Sequence, residues 1–368
     1  MSKYYDTIII GAGIVGACVA HTLNQHNQKV LVLDRKGIAK GGSGSAGAFV
    51  SPKIGKASLL HSLTNEAFSY AKDFYAKYTP EYFFQTGVLR LAKDETDSQK
   101  FNIYEQANQN KYEKYSSNKL QSLGVASSFS NFYFPQAGIC ESVEVCETLL
   151  KNIDVVIYEL KALRKKEGLW EIGNFKAKNI VLATGYQDDL INISYMGIHG
   201  VWGTRGDFKT SLDFPISLHQ SLSIGANQKG IIKLGATHQR EIKSPTICKD
   251  DQSIKLKEEA SKLVDVSDFV LKASFCGMRS SSKDSFPLVG RVIDVASMLK
   301  NYPLLKKGQK KPLEYIENLY ICNGVGGRGF VFAPLLAKTL ADLIVENKEV
   351  DKRVNPDRLF FKWCRKLL

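Results

Sequence analysis

The segment Gly11-Ala12-Gly13-Ile14-Val15-Gly16 restricts the possible folds of this chain more than any other. It follows the apolar run Thr7-Ile8-Ile9-Ile10, which reads as a strand buried on both faces. It opens residues 14–26, whose apolar positions fall at helical spacing. Lys29-Val30-Leu31-Val32-Leu33 then reads as a second buried strand, ending in Asp34, eighteen residues after Gly16. In such a β-α-β unit the first glycine permits a tight turn, the second lets backbone approach a pyrophosphate, and the third brings helix against strand. The helix N-terminus offers unpaired N–H groups to the phosphates, and the acid at the end of the second strand accepts hydrogen bonds from ribose. A glycine-rich turn alone would not need that acid. The start of the chain therefore predicts a dinucleotide site built on Gly11, Gly13, Ile14, Val15, Gly16 and Asp34, with Arg35 beside the acid.

Three further segments bear on which dinucleotide. Gly41-Gly42-Ser43-Gly44-Ser45-Ala46-Gly47-Ala48 is a run of small residues that lets backbone pass close to a flavin and its diphosphate. Asn179-Ile180-Val181-Leu182-Ala183-Thr184-Gly185 is an apolar strand closing on Ala-Thr-Gly, similar to the second FAD motif of flavoproteins with two dinucleotide-binding segments. Asn323-Gly324-Val325-Gly326-Gly327-Arg328-Gly329-Phe330 leads into an apolar helix at about 331–346, whose N-terminus can stabilise negative charge on a reduced flavin.

These segments lie far apart, so the organisation is discontinuous. The predicted fold is α/β, a discontinuous Rossmann-like FAD-binding domain with an inserted mixed α+β substrate domain. Residues 1–80, 140–198 and 276–368 form the first, and residues 81–139 and 199–275 the second. The second is rich in aromatics (Tyr82, Phe83, Phe84, Phe132, Tyr133, Phe134) and in short strand-like runs such as Ile231-Ile232-Lys233-Leu234, with one polar helix near 252–264. Trp202-Gly203-Thr204-Arg205-Gly206 reads as a link between the two, and a helix is expected over about 57–78.

Composition narrows the class. The chain has 368 residues, 44% hydrophobic and 24% charged, enough apolar surface for two cores. Lys and Arg number 50 against 37 Asp and Glu, a formal charge of +13 that steers acidic partners toward the surface. Seven cysteines are scattered without a Cys-x-x-Cys pair, which predicts unpaired thiols in a reducing cytosol and neither a disulfide framework nor a structural zinc site. The apolar stretch Ile8 to Ala20 is too short for a bilayer span of ~20 residues. Glycines break it and Asp6 precedes it, so it is not a signal peptide either. The expected compartment is the cytoplasm.

Along nearly its whole length the chain resembles the FAD-dependent amine oxidoreductases of the D-amino-acid oxidase/glycine oxidase superfamily. Within it, the chain is most similar to the flavin (C-terminal) half of the MnmC family of tRNA wobble-uridine modification enzymes. Gly42 to Ala48 leading to Pro52 carries that likeness. So do Arg279…Asp284-Ser285-Phe286-Pro287-Leu288-Val289-Gly290, Gly326-Gly327-Arg328-Gly329, and the ending Asn355-Pro356-Asp357-Arg358-Leu359. The resemblance implies FAD as cofactor, contacted by Gly11, Gly13, Ile14, Val15, Gly16, Asp34, Arg35, Gly42, Ser43, Ser45, Ala46, Gly47, Ala48, Val155, Ala183, Thr184, Gly185, Gly324, Gly326, Gly327, Arg328, Gly329 and Phe330. It implies tRNA as partner, with no metal and no membrane. MnmC proteins carry a methyltransferase ahead of the flavin fingerprint. This chain opens directly on that fingerprint, so the expectation is a stand-alone oxidoreductase half, with any methylation left to a separate enzyme.

The implied reaction is oxidative removal of the carboxymethyl group from 5-carboxymethylaminomethyl(-2-thio)uridine, giving aminomethyluridine and glyoxylate. Arg279 and Arg328 are the expected catalytic residues. The planar fork of Arg279 suits a substrate carboxylate, and Arg328 lies in the flavin-edge loop. An ion pair of Arg279 with Asp284 is the structural alternative. His238 and Arg205 are lesser candidates, and Lys306, Lys307, Lys310, Lys311, Arg358, Lys362, Arg365 and Lys366 are candidates for phosphate contact. Two other functions share these motifs: a small-molecule amine oxidase acting on glycine, sarcosine or a D-amino acid, and a non-catalytic flavin-bearing tRNA-binding module. The charge excess and the Asn-Pro-x-Arg ending favour the tRNA enzyme.

Overall fold

The computed structural model describes residues 3–187, 189–235 and 237–367. Its centre is β1 (Lys3–Ile10), which lies parallel to β2 (Val30–Asp34) on one side and to the strand Phe175–Leu182 on the other. The sheet extends through Tyr315–Asn323 to Leu288–Ile293 at one edge and to Asp154–Ile157 at the other. All these pairings are parallel except that of Leu288–Ile293, which runs antiparallel to its neighbour.

Alternation along the strands sorts side chains to two cores. Ile9, Val32, Val181 and Cys322 face α1 (Ile14–Gln25), the helix Gly329–Glu346 and a long helix over Leu59–Tyr78. Ile8, Leu31, Leu182 and Ile321 face the other way, onto Tyr195, Met298 and Phe360. Both faces are covered, which is why these strands read as unbroken apolar runs.

A second, mostly antiparallel sheet orders Val270–Ser281, His199–Lys209, Ile231–Gly235, Ser223–Ile224, Ser217–His219, Val88–Leu91 and Asn131–Phe134. Its own core includes Phe208, Phe214, Leu218, Leu234 and Phe269, capped by the helix Asp251–Ala260. No helix of the described residues is long and apolar enough to cross a membrane.

The structure departs from the sequence reading in three places. Trp202 to Gly206 is not a link: it lies inside the eleven-residue strand His199–Lys209, paired along its length with Val270–Ser281. The expected division at residue 276 consequently falls within a continuous strand. The cysteines are not all unpaired, since Cys248 is bonded to Cys276, whose strand passes beside the segment bearing Cys248. Cys18, Cys140, Cys146, Cys322 and Cys364 are buried thiols.

The turn between β1 and α1 depends on glycine. Gly11 has φ +116°, outside the range L side chains adopt, and a Cβ on Gly16 would sit 1.9 Å from the Gly11 carbonyl oxygen. Gly16→Ala must therefore force α1 away from β1. Overpacking of this kind costs about 1–3 kcal/mol or more. We expect the urea midpoint of this variant to fall with an unchanged slope, as followed by far-ultraviolet circular dichroism.

Candidate active site

One cavity of about 830 Å³ runs along the carboxyl ends of the parallel strands, where Ile10, Leu33, Asp34, Ala183 and Asn323 line it, and crosses to the second sheet at Trp202, Gly203, His219, Gly235 and residues 276–281. Open α/β sheets place their ligands at this edge. Of the residues expected to contact cofactor, Gly11, Gly13, Ile14, Val15, Asp34, Arg35, Gly42, Ser43, Ser45, Ala46, Gly47, Ala48, Ala183, Thr184, Gly185, Gly326, Gly327, Arg328, Gly329 and Phe330 line this one cavity. Gly16, Val155 and Gly324 do not. Gly16 is packed against Gly11, and Val155 is paired with Val32 within the sheet. The neighbouring Tyr158, Glu159 and Leu160 line the cavity in place of Val155.

The chemistry of this edge suits a dinucleotide. Gly13, at the N-cap of α1, has no side chain to cap it, and the amides of its first turn have no intrahelical acceptors. Ser43 Oγ accepts from Ile14 N at 2.9 Å, which pins the small-residue loop to that helix end. The Asp34 carboxylate accepts from the backbone N–H groups of Ala12, Lys36 and Gly37 at 2.9, 2.8 and 3.0 Å. Three of its roughly four lone-pair directions are thus taken, and the fourth remains for a ligand hydroxyl.

Arg279 lies on the strand Val270–Ser281 and donates to the Thr237 carbonyl at 2.8 Å. Burial holds its guanidinium down to about 10. Gly203, on the neighbouring strand two residues beyond Val201, the ladder partner of Arg279, makes room for it, since a Cβ there would meet Arg279 Nη2 at 2.3 Å. The alternative partner Asp284 is taken by Arg358, which donates to it at 2.8 and 2.9 Å and also to the carbonyls of Asn355, Phe286 and Pro287. Arg358 is thereby a structural residue rather than a free phosphate contact. Among the described residues no carboxylate pairs with Arg279. Its charge, two nitrogens and planar geometry are available to an oxyanion in the cavity.

Arg328 enters from the turn Gly326–Arg328 before the helix Gly329–Glu346 and donates to the Ser51 carbonyl at 3.3 Å. Burial lowers its affinity for a proton as well. Lys53 lines the same cavity, and its backbone is tied to Asn65 through the Lys53 N to Asn65 Oδ1 bond at 2.8 Å. Sequence reasoning passed over Lys53, which sits in no motif. His238 also lines the cavity. Arg205 does not, and its buried side chain donates to the carbonyls of Gly44 and Ala46 and pairs with Asp207.

Comparison with known proteins agrees with this geometry. The chain is 27% identical over 364 residues to the tRNA 5-methylaminomethyl-2-thiouridine biosynthesis bifunctional protein MnmC of Idiomarina loihiensis, covering 92% of this chain and 56% of that protein. It is 24% identical over 369 residues to the protein of the same name from Legionella pneumophila, covering 93% and 54%. The chain thus spans about half the length of these relatives. Among solved structures, glycine oxidase from Bacillus cereus superposes with a TM-score of 0.78 at 19% identity, over 94% of this chain and 96% of that one. L-proline dehydrogenase from P. horikoshii superposes with a TM-score of 0.76 at 16% identity, over 100% and 98%. The profile of the DAO family, FAD dependent oxidoreductase, matches residues 6–343, and this chain belongs to that family.

Proposed function

We propose that this chain oxidises the carboxymethylaminomethyl group on a wobble uridine of tRNA, giving aminomethyluridine and glyoxylate, in the cytoplasm. The observation that carries the reading is Arg279, desolvated and without a carboxylate partner among the described residues, in a cavity at the carboxyl edge of a dinucleotide-type sheet. The likeness to MnmC proteins over nine-tenths of the chain supports a tRNA substrate.

The first turn of α1, the loop 41–48, Asp34 and the turn 326–329 would hold FAD, and bound FAD would supply a two-electron acceptor for the C–H bond beside the substrate nitrogen. Water then adds to the resulting carbon–nitrogen double bond and releases the amine and glyoxylate. The protein's own part is placement. Arg279 binds the glycine-like carboxylate through two parallel N–H···O bonds and so fixes the neighbouring carbon. Ser43 and Arg205 hold the small-residue loop that forms one wall. Gly203 keeps the path to Arg279 open.

The purified protein is expected to be yellow, with about one FAD per chain as a single dinucleotide site implies. A Cβ on Gly13 would stand 2.9 Å from Ser43 Oγ, so Gly13→Leu should displace the loop and fill the approach to the helix N-terminus. A penalty of about 1–3 kcal/mol would weaken FAD by roughly 5- to 150-fold, measurable by flavin fluorescence on titration of apoprotein.

Arg279→Lys keeps the charge but loses the fork. Turnover should fall on the order of 100-fold with the flavin spectrum unchanged. Wild-type kinetics in this variant would place the carboxylate elsewhere.

The tRNA reading makes a salt prediction. Each phosphate neutralised by Lys or Arg contributes a slope of roughly −0.7 to −0.9 in log K against log salt. Anaerobic bleaching of the flavin by tRNA bearing carboxymethylaminomethyluridine should be strong at low salt and suppressed as salt rises. Bleaching by glycine, sarcosine or D-alanine with none by the modified tRNA would identify a small-molecule amine oxidase instead.

A further inference from the structure

Three further cations near Arg279, Lys53, Arg90 and Arg328, have no carboxylate partner among the described residues. Lys53 and Arg328 line the same cavity. Arg90, on the strand Val88–Leu91 opposite the cavity residue His219, is near enough to both to depress the proton affinity of Lys53, and Arg328 in turn depresses that of Arg90. Burial is the larger cause in each case and brings Arg90 down to about 9. His61, whose ring lies beside Asn65, is also lowered, first by burial and then by Lys53. Asp97 and Tyr104 act on Arg90 in the opposite sense but form no ion pair with it. The Nε of Arg90 is buried with no hydrogen-bond partner. Among the described residues, no carboxylate pairs with Lys53, Arg90 or Arg328.

Like charges brought together out of water cost stability, and a buried donor without an acceptor adds to that cost. The chain does neutralise arginines where they serve the fold: Arg205 pairs with Asp207, Arg353 with Asp351 and Glu66, and Arg358 with Asp284. At the cavity it does not. With the FAD diphosphate taken by the first turn of α1 and the loop 41–48, a carboxylate held by Arg279 accounts for one further negative charge and leaves the other three cations without an anion.

We propose that Lys53, Arg90 and Arg328 form a second oxyanion subsite, distinct from the Arg279 carboxylate site, which binds another anionic group of the same substrate. This rests on the proposed function for its preferred occupant, a backbone phosphate flanking the modified uridine. The same chemistry would take the second carboxylate of a small dicarboxylic amine. Lys53 and Arg328 supply the contacts, and Arg90 strengthens their field.

The test uses the flavin-loaded protein with inorganic phosphate and acetate as probes, followed by calorimetry and by the visible flavin spectrum. Wild type should bind phosphate in the presence of saturating acetate. Lys53→Met should weaken phosphate tenfold or more, leave acetate within twofold, and melt no lower than wild type because repulsion is relieved. Arg279→Lys should do the converse to the two anions. Should Lys53→Met misfold, Lys53→Gln carries the same measurement. Competition of phosphate with acetate for one site, no phosphate binding to the loaded protein, or a lower melting temperature in both folded Lys53 variants would overturn the subsite.

Two further pairs of ligands separate the sources. A trinucleotide with carboxymethylaminomethyluridine at its centre should bind at least tenfold tighter than the free nucleoside, with the gain lost in Lys53→Met. A gain for iminodiacetate over sarcosine instead, also lost in that variant, would support the subsite while removing the tRNA reading. A gain in neither pair overturns the subsite even if intact modified tRNA is oxidised.

Discussion

The relation between the two sheets depends on one buried guanidinium. Arg205 projects from the strand His199–Lys209 into the small-residue loop of the nucleotide-binding sheet, donating to the carbonyls of Gly44 and Ala46. Asp207, two residues along the same strand face, accepts from its Nε at 2.8 Å, and the ring of Phe275 lies 4.2 Å beneath it. Burial outweighs the attraction of Arg205 and Lys233 and raises the Asp207 carboxyl above its ordinary value, a sign of how dry the joint is. Breaking one partner of a buried pair costs about 3–5 kcal/mol, because the other charge is stranded. Lys233 and Glu141 make a second ion pair across the same boundary. Both walls of the cavity are therefore fixed by charge-assisted contacts between elements distant in sequence.

Legibility followed local pattern strength. The unit Lys3–Asp34 was readable because its strands are apolar on both faces and its glycines and acid have fixed spacing. The helix Gly329–Glu346 was readable from its apolar density, and the motif around Arg279 pointed to a residue that lines the cavity. The strand His199–Lys209 was not, because glycines at 200, 203 and 206 erase the β-branched alternation that marks a strand. Gly200 and Gly203 answer to the neighbouring strand, and Gly206 to Phe208 and to Ser253 of the helix Asp251–Ala260. A Cβ on Gly200 would lie 2.9 Å from Met278 Sδ, and one on Gly203 would collide with Arg279. Local strand propensity is sacrificed there to seat the side chains of Met278 and Arg279.

Other features were hidden for a different reason. The bond between Cys248 and Cys276 joins residues 28 apart with no recurring spacing around them. The cations at 53, 90 and 328 belong to a loop, a strand of the second sheet and a turn before the last long helix, so only the fold brings them together. Conversely, Arg358 looked free in the sequence and is bound on every side, because the chain end folds back on the Asp284 turn. A charged residue's role depends on its partner, and partners distant in sequence leave no pattern.

That distinction also sorts the arginines of this molecule by purpose. Arg205, Arg353 and Arg358 are matched to carboxylates, and their geometry is closed. Arg279 and Arg328 are each held by one backbone carbonyl, which sets the direction of a guanidinium while leaving most of its five donors unused. A carbonyl anchor orients without neutralising, so the full charge is retained for whatever enters. The two anchors belong to different parts of the fold: Thr237 follows a strand of the second sheet, whereas Ser51 follows the strand Phe49–Val50 of a separate three-stranded sheet. The separation and angle of the two guanidinium planes are thus set by how the sheets meet. The joint at Arg205 is in this sense part of the site, since it fixes the spacing at which two oxyanions can be held at once.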